Sequence, residues 1–177
     1  MVALLLGVLC VVDPEYNKYG GVLAALFLPF LPLVVERLFK MTITFRLQMI
    51  YYVFLFVSLF LGICMDFYKE VPHFDKAIHF LSGALLVVLG YYVLKFFKVK
   101  GSRLFRGIFL VCFAMMVAVI WEFFEFFCDQ FLGQSMQQLV SVGVEDTMID
   151  LLVAFLGSVM GAFWLANRDD LGFLEKD

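Results

Sequence analysis

The sequence predicts an all-α fold, a polytopic transmembrane helical bundle of five clear spans plus a short apolar N-terminal helix. Three observations carry this. Hydrophobic residues make up 64% of the 177 residues and charged residues only 16%, against about half and a quarter in soluble domains. The apolar residues gather in runs of the roughly 20 residues that a helical span needs. No stretch alternates as a barrel strand does, and in lipid an open chain satisfies its backbone polar groups only as a helix.

The elements follow in order. Met1–Val12 is apolar but twelve residues long, short for a span, and it lacks the basic start and small-residue cleavage site of a signal peptide. A partial or tilted helix and the tail of a longer helix both fit it. The first clear span is Gly20–Phe39, where Pro29 and Pro32 should kink the helix or interrupt its bonding. Leu47–Met65, Ala77–Phe97 and Gly107–Cys128 are next, and Thr147–Asn167 qualifies once Asp150 is allowed for. The domain reading is a short apolar segment and loop at 1–19, one transmembrane domain at 20–167, and a charged tail at 168–177. The connections Lys40–Arg46 and Lys98–Arg106 are short, which makes successive helices antiparallel neighbours.

Charge is sorted by side. If the five spans alternate, ten of the thirteen basic residues, Arg37 and Lys40 through Arg106 and Lys176 among them, fall on one side. The other side receives Lys18, Lys69 and Lys76. The positive-inside rule makes the basic side cytoplasmic, with the C-terminus, and turns the loops Asp66–Lys76 and Asp129–Asp146 outward. Cys10, Cys64, Cys112 and Cys128 have no metal-finger spacing. Cys64 and Cys128 both sit near outer span ends, but packing is favoured over a disulfide. The chain has no nucleic-acid recognition motif, phosphate loop or Ser/His/Asp signature.

What remains is a set of ionisable groups at the outward ends of spans. Asp75 and His79 open the third clear span, Glu122, Glu125 and Asp129 close the fourth, and Asp146 and Asp150 open the fifth. Spacings of four, or of three and seven, put each set on one helix face. Small residues continue those faces: Ser82, Gly83 and Gly90 in one span, and Ala154, Gly157, Ser158 and Gly161 in another. Small residues mark close helix approach, so these faces should point into the bundle.

At 1.5 Å of rise per residue, His79 and Asp150 lie about 6 Å inward of Asp75 and Asp146. Glu122 lies about 10 Å inward of Asp129. The expected deep layer is therefore His79, Glu122 or Glu125, and Asp150. A mid-membrane acid costs about 3 kcal/mol on insertion scales, and only His79 and Lys76 or Lys69 are near as cations. A bound divalent ion or protonated carboxyls would each relieve the cost. Oxygen and imidazole ligands together suit Zn, Mn, Fe or Mg. Bland readings stand beside these: Asp75 and Asp146 as helix N-caps, Asp129 as a solvated helix end, His73 as a loop residue, and Trp121 as a lipid or packing contact.

The runs LPLVVERLF, LFLGICMDFY, HFDKAIHFLSG, WEFFEFFCD and EDTMIDLLVAFLGS, with Gln134 and Gln137 between the last two, resemble the YjdF family of bacterial inner-membrane proteins from Leu31 to Ser158. The motifs at Asp75–Phe80, Trp121–Glu122 and Asp146–Gly157 are also similar, more loosely, to VanZ-like proteins. The first resemblance implies a multi-span bacterial inner-membrane protein without supplying a reaction. The second implies envelope lipids or cell-wall precursors.

Three functions compete. The first is a metal-dependent hydrolase or transferase acting on an envelope lipid or lipid-linked phosphate. In it His79, Glu122, Glu125 and Asp150 bind metal, Asp75 and Asp146 serve as catalytic groups, and Gln134 and Gln137 contact a head group. The second is a structural network that fixes helix packing. The third, a proton- or cation-coupled transporter, is disfavoured by the few ionisable groups in the inner halves of the spans and the lack of an inverted repeat. The lipid bilayer is the one partner every reading shares.

Overall fold

The structure, a computed structural model, describes residues 19–134, 136–137 and 144–166. The apolar segment Met1–Val12 and the tail at 168–177 lie outside the described residues. Six helices are described: α1 (Tyr19–Phe39), α2 (Phe45–Cys64), the short α3 (Phe67–Glu70), α4 (Phe74–Phe96), α5 (Arg103–Leu132) and α6 (Val144–Ala166). All but α3 are long and apolar enough to cross a membrane, so the chain is a multi-pass membrane protein, and the described residues contain no strand.

The prolines of α1 act as expected, and two tyrosines answer them. The helix tightens into a 3₁₀ turn at Leu28–Phe30. Pro32 has no N–H to return to Leu28 O, so that carbonyl accepts from the Leu31 N–H in the tightened turn and, at 2.7 Å, from the Tyr51 hydroxyl of α2. Tyr52 donates to Pro29 O at 3.2 Å. The proline break thereby becomes the join between α1 and α2.

Helix α2 starts on Thr44, whose hydroxyl accepts from the Leu47 N–H, and widens into a π-helical segment over Phe56–Cys64. Helix α5 runs for 30 residues, longer at both ends than the expected Gly107–Cys128. The Ser102 hydroxyl caps its start by accepting from the Phe105 N–H, and Gly133 ends it in the left-handed region at φ 62°.

Helices α4, α5 and α6 form the tight part of the bundle, and α4 against α6 is its closest contact. A Cβ on Gly83 would collide with the Ala154 carbonyl of α6, and one on Gly157 with the Phe80 carbonyl of α4. Ala154 and Ser158 are fully buried there, so the small-residue faces do turn inward. Gly90 departs from the expected grouping and meets Leu110 and Phe113 of α5. Helices α1 and α2 form a second unit around Ala24, Ala25, Leu55 and Leu59, with Trp121 of α5 against it. Between the two units lies a cavity of about 930 Å³.

Candidate functional site

The site is built from three helix ends. Helix α4 begins at Phe74, with Asp75 in its first turn and His79 one turn deeper. Helix α6 begins at Val144 and contributes Asp146 and Asp150 in the same way. Helix α5 ends there with Glu122, Glu125 and Asp129, all three buried. The close α4–α6 packing over Gly83 and Gly157 sets the distance between the first two groups.

His79 is the centre. Its Nε2 lies 3.5 Å from Asp75 Oδ1 and 3.9 Å from Asp150 Oδ1, and its Nδ1 lies 3.7 Å from Glu122 Oε1. Of the residues expected to bind metal with His79, Glu122 and Asp150 thus lie on opposite edges of its ring. Asp75, His79 and Asp150 can present donor atoms within 4.8 Å of one another, and so can His79, Glu122 and Glu125.

Of the two lysines expected near the acids, Lys76 meets three carboxylates. Its ammonium donates to Asp75 Oδ2 at 3.0 Å, to Asp150 Oδ2 at 2.8 Å, and to Asp146 Oδ1. One lysine therefore holds three carboxylates from two helices. The signal was present in sequence: Lys76 sits one position from Asp75 and three from His79. The N-cap readings of Asp75 and Asp146 are corrected. His73 occupies the N-cap of α4, and both aspartates lie inside their helices, paired to Lys76.

Two further expectations change. Asp129 is not a solvated helix end: it is buried and accepts from the backbone N–H groups of Met136 and Gln137 at 2.7 and 2.9 Å. Trp121 is more than a lipid or packing contact, because its indole N–H donates to Glu125 Oε1 at 2.8 Å. His73 is exposed and lines a small outer pocket with Lys69, Lys76 and Asp146, apart from His79.

The two glutamines differ. Gln134 lines the large cavity, and its side-chain oxygen accepts from the Gly20 N–H at 3.4 Å. Gln137 is buried behind the cluster, where its amide donates to Thr147 Oγ1 at 3.2 Å and to the Glu122 carbonyl at 3.5 Å. Tyr68 of α3, absent from the sequence reading, lines both the cavity and the outer pocket. Its ring packs where any Cβ on Gly62 would stand. Burial, with the negative charge of Asp75, Glu125 and Asp150, pushes its hydroxyl pKa well above the usual tyrosine value.

Five carboxyls (Asp75, Glu122, Glu125, Asp146 and Asp150) thus face Lys76 and one imidazole. Glu122 Oε1 and Oε2 and Asp150 Oδ1 are buried without a hydrogen-bond partner, although Thr147 and Gln137 lie beside Glu122. A buried acid left without partners carries a desolvation cost. Two ligand atoms bound about 2.1 Å from one ion stand about 3–4 Å apart, and the His79–Glu122 separation of 3.7 Å falls in that range. The residues fit a divalent ion.

A family profile described as "Predicted membrane protein (DUF2238)" matches residues 1–170, and YjdF is a member of that family. The match begins at residue 1, well ahead of Leu31, where the motif resemblance starts. An uncharacterised protein of Thermotoga maritima is 29% identical over 133 residues, covering 72% of this chain and 66% of that protein. The chain therefore spans just under two thirds of that relative's length. No solved structure matches.

Proposed function

This chain belongs to the DUF2238 family of membrane proteins, and we propose that it is a metal-dependent hydrolase or transferase acting on a lipid or lipid-linked phosphate at the outward face of a bacterial inner membrane. The observation that carries the reading is Glu122. It is 3% exposed, neither carboxylate oxygen makes a hydrogen bond of good geometry even with Thr147 and Gln137 beside it, and one of them stands 3.7 Å from His79 Nδ1. An ion at that edge would supply the missing partner.

The two edges of the imidazole then take different tasks. His79 Nδ1, Glu122 and Glu125 form the ligand edge. Asp75 and Asp150 face Nε2 at 3.5 and 3.9 Å, and their charge would favour its proton on that side and leave the Nδ1 lone pair for a metal. In this arrangement Asp150 orients the ring rather than serving as a fourth ligand. Zn, Mn, Fe and Mg all accept such oxygen and imidazole donors. The bound ion supplies Lewis-acid polarisation of a phosphate oxygen or an activated water.

The remaining residues bind and position. Asp75 lines both the outer pocket and the large cavity, so it is the carboxylate placed to take a proton from an attacking hydroxyl. Asp146 shares Lys76 with it and faces the outer pocket. Gln134 lines the cavity, where it would contact a head group. Trp121 fixes the rotamer of Glu125. The outward orientation rests on the ten basic residues assigned to the opposite end, and the VanZ-like motifs favour an envelope lipid as substrate.

A second reading is structural, and the Lys76 bonds to Asp146 and Asp150 favour it, because those two tie α4 to α6 at the mouth of the bundle. Elemental analysis separates the two. Protein purified without chelator should carry about one divalent ion per chain, lost in Glu122→Gln while the helical content stays. Metal-free wild-type protein of full stability would leave the structural reading standing.

A further inference from the structure

The large cavity is built for hydrocarbon. It lies between the α1–α2 unit and helices α4 and α5, and runs from Ile43 and Gln48 at the basic end to Tyr68 and Asp75 at the acid end. Along α2 that distance is about 20 Å, deeper than the roughly 15 Å that half of a 30 Å hydrocarbon core provides. Its volume of about 930 Å³ equals about thirty water-sized volumes at ~30 Å³ each, room for one long chain.

The walls offer such a chain little polar competition. The hydroxyls along the cavity's length already serve helix carbonyls: Ser58 donates to Leu55 O, Ser82 to His79 O at 2.8 Å, and Tyr51 to Leu28 O at 2.7 Å. The π-helical segment of α2 contributes Ser58, Leu59, Gly62 and Ile63 to one wall. Apart from Gln48 at the basic end, the lining turns polar only at the acid end, with Asp66, Lys69, Asp75, His79, Glu125 and Gln134. Apolar space of this length, at membrane depth and ending on His79 and Glu125, has the shape of an amphiphile with its tail inside and its head at the cluster.

We propose that this cavity holds one extended hydrocarbon chain of the substrate lipid, so that the substrate class is a lipid phosphate engaged through a single chain. The head-group assignment rests on the metal reading above. The chain site stands on the cavity itself.

Trp121 lines the cavity, whereas Trp164, the other tryptophan, is exposed on α6. Trp164→Phe therefore leaves one reporter inside. The probe is hexadecyl phosphate brominated at mid-chain, titrated into detergent-solubilised Trp164→Phe protein while Trp121 fluorescence is read. Quenching should saturate. Ala118→Phe, and the milder Leu85→Phe, both on the cavity wall, should weaken the apparent affinity about tenfold by filling the space while keeping the metal content of the parent. Glu122→Gln in chelator should lose metal and still show saturable quenching. Quenching that rises linearly with probe, or that neither filling variant weakens, overturns the chain site even where metal is bound. Saturable quenching in metal-free protein leaves the chain site intact and removes only the metal reading.

Discussion

Lys76 of α4 and Asp150 of α6 form a 2.8 Å ion pair at the mouth of the closest helix contact in the bundle. The same ammonium reaches Asp75 and Asp146. Removing one partner of a mostly buried ion cluster leaves the others uncompensated, a loss of about 3 kcal/mol. Lys76→Met should therefore lower unfolding stability by about that amount, read by denaturant titration in detergent. Adding Asp150→Asn to Lys76→Met should recover part of the loss, as coupled neighbours do in a double-mutant cycle. Additive effects of the two changes would show that the pair does not hold the helices together.

Glycine carries the α4–α6 approach by lacking a Cβ. At Gly83 and Gly157 the added atom would fall on a backbone carbonyl, which cannot swing aside. Gly83→Ala should cost about 1–3 kcal/mol and lower Tm. Gly107 has nothing within 4 Å of the same position, so Gly107→Ala should be neutral or stabilising by up to about 1 kcal/mol through helix propensity. Equal effects at the two sites would contradict the packing account.

The proline break in α1 makes a conditional prediction. Tyr51→Phe removes the hydroxyl that serves Leu28 O and should cost about 1 kcal/mol. Pro32→Ala returns the N–H that a regular helix would direct at that carbonyl. In the Pro32→Ala background the Tyr51→Phe change should be close to silent. A thermal-unfolding cycle over the four proteins reads the coupling.

Much of this was legible in the chain because membrane insertion forces simple patterns. The five spans followed from hydropathy, and the inward faces from Gly83, Ala154, Gly157 and Ser158 at helical spacing. Depth counting along three helices put His79, Asp150 and one of Glu122 and Glu125 in a common deep layer. What stayed hidden depends on tertiary contact. Spacing left Lys76 and Lys69 as alternative cations near the acids, and the reach of Lys76 to Asp146 and Asp150 needs α6 in place. Asp129 looked solvated because the return of residues 136–137 onto it has no periodic signal. Neither the π-helical widening at Phe56–Cys64 nor the cavity beside it leaves a mark in composition. The split of the acids between the two edges of His79 depends on a ring orientation that spacing cannot give.

The most direct test of the central claim is the thermal stability of wild-type and Glu122→Gln protein, each measured in chelator and then with Zn or Mn added. An ion that binds the folded state alone at a hundred times its Kd stabilises by about 2.7 kcal/mol. Wild-type protein should gain on that scale. Glu122→Gln should start out the more stable of the two in chelator, relieved of an unpartnered buried acid, and gain nothing from the ion. A wild-type protein indifferent to both metals, with Glu122→Gln destabilised in chelator, would contradict the metal site.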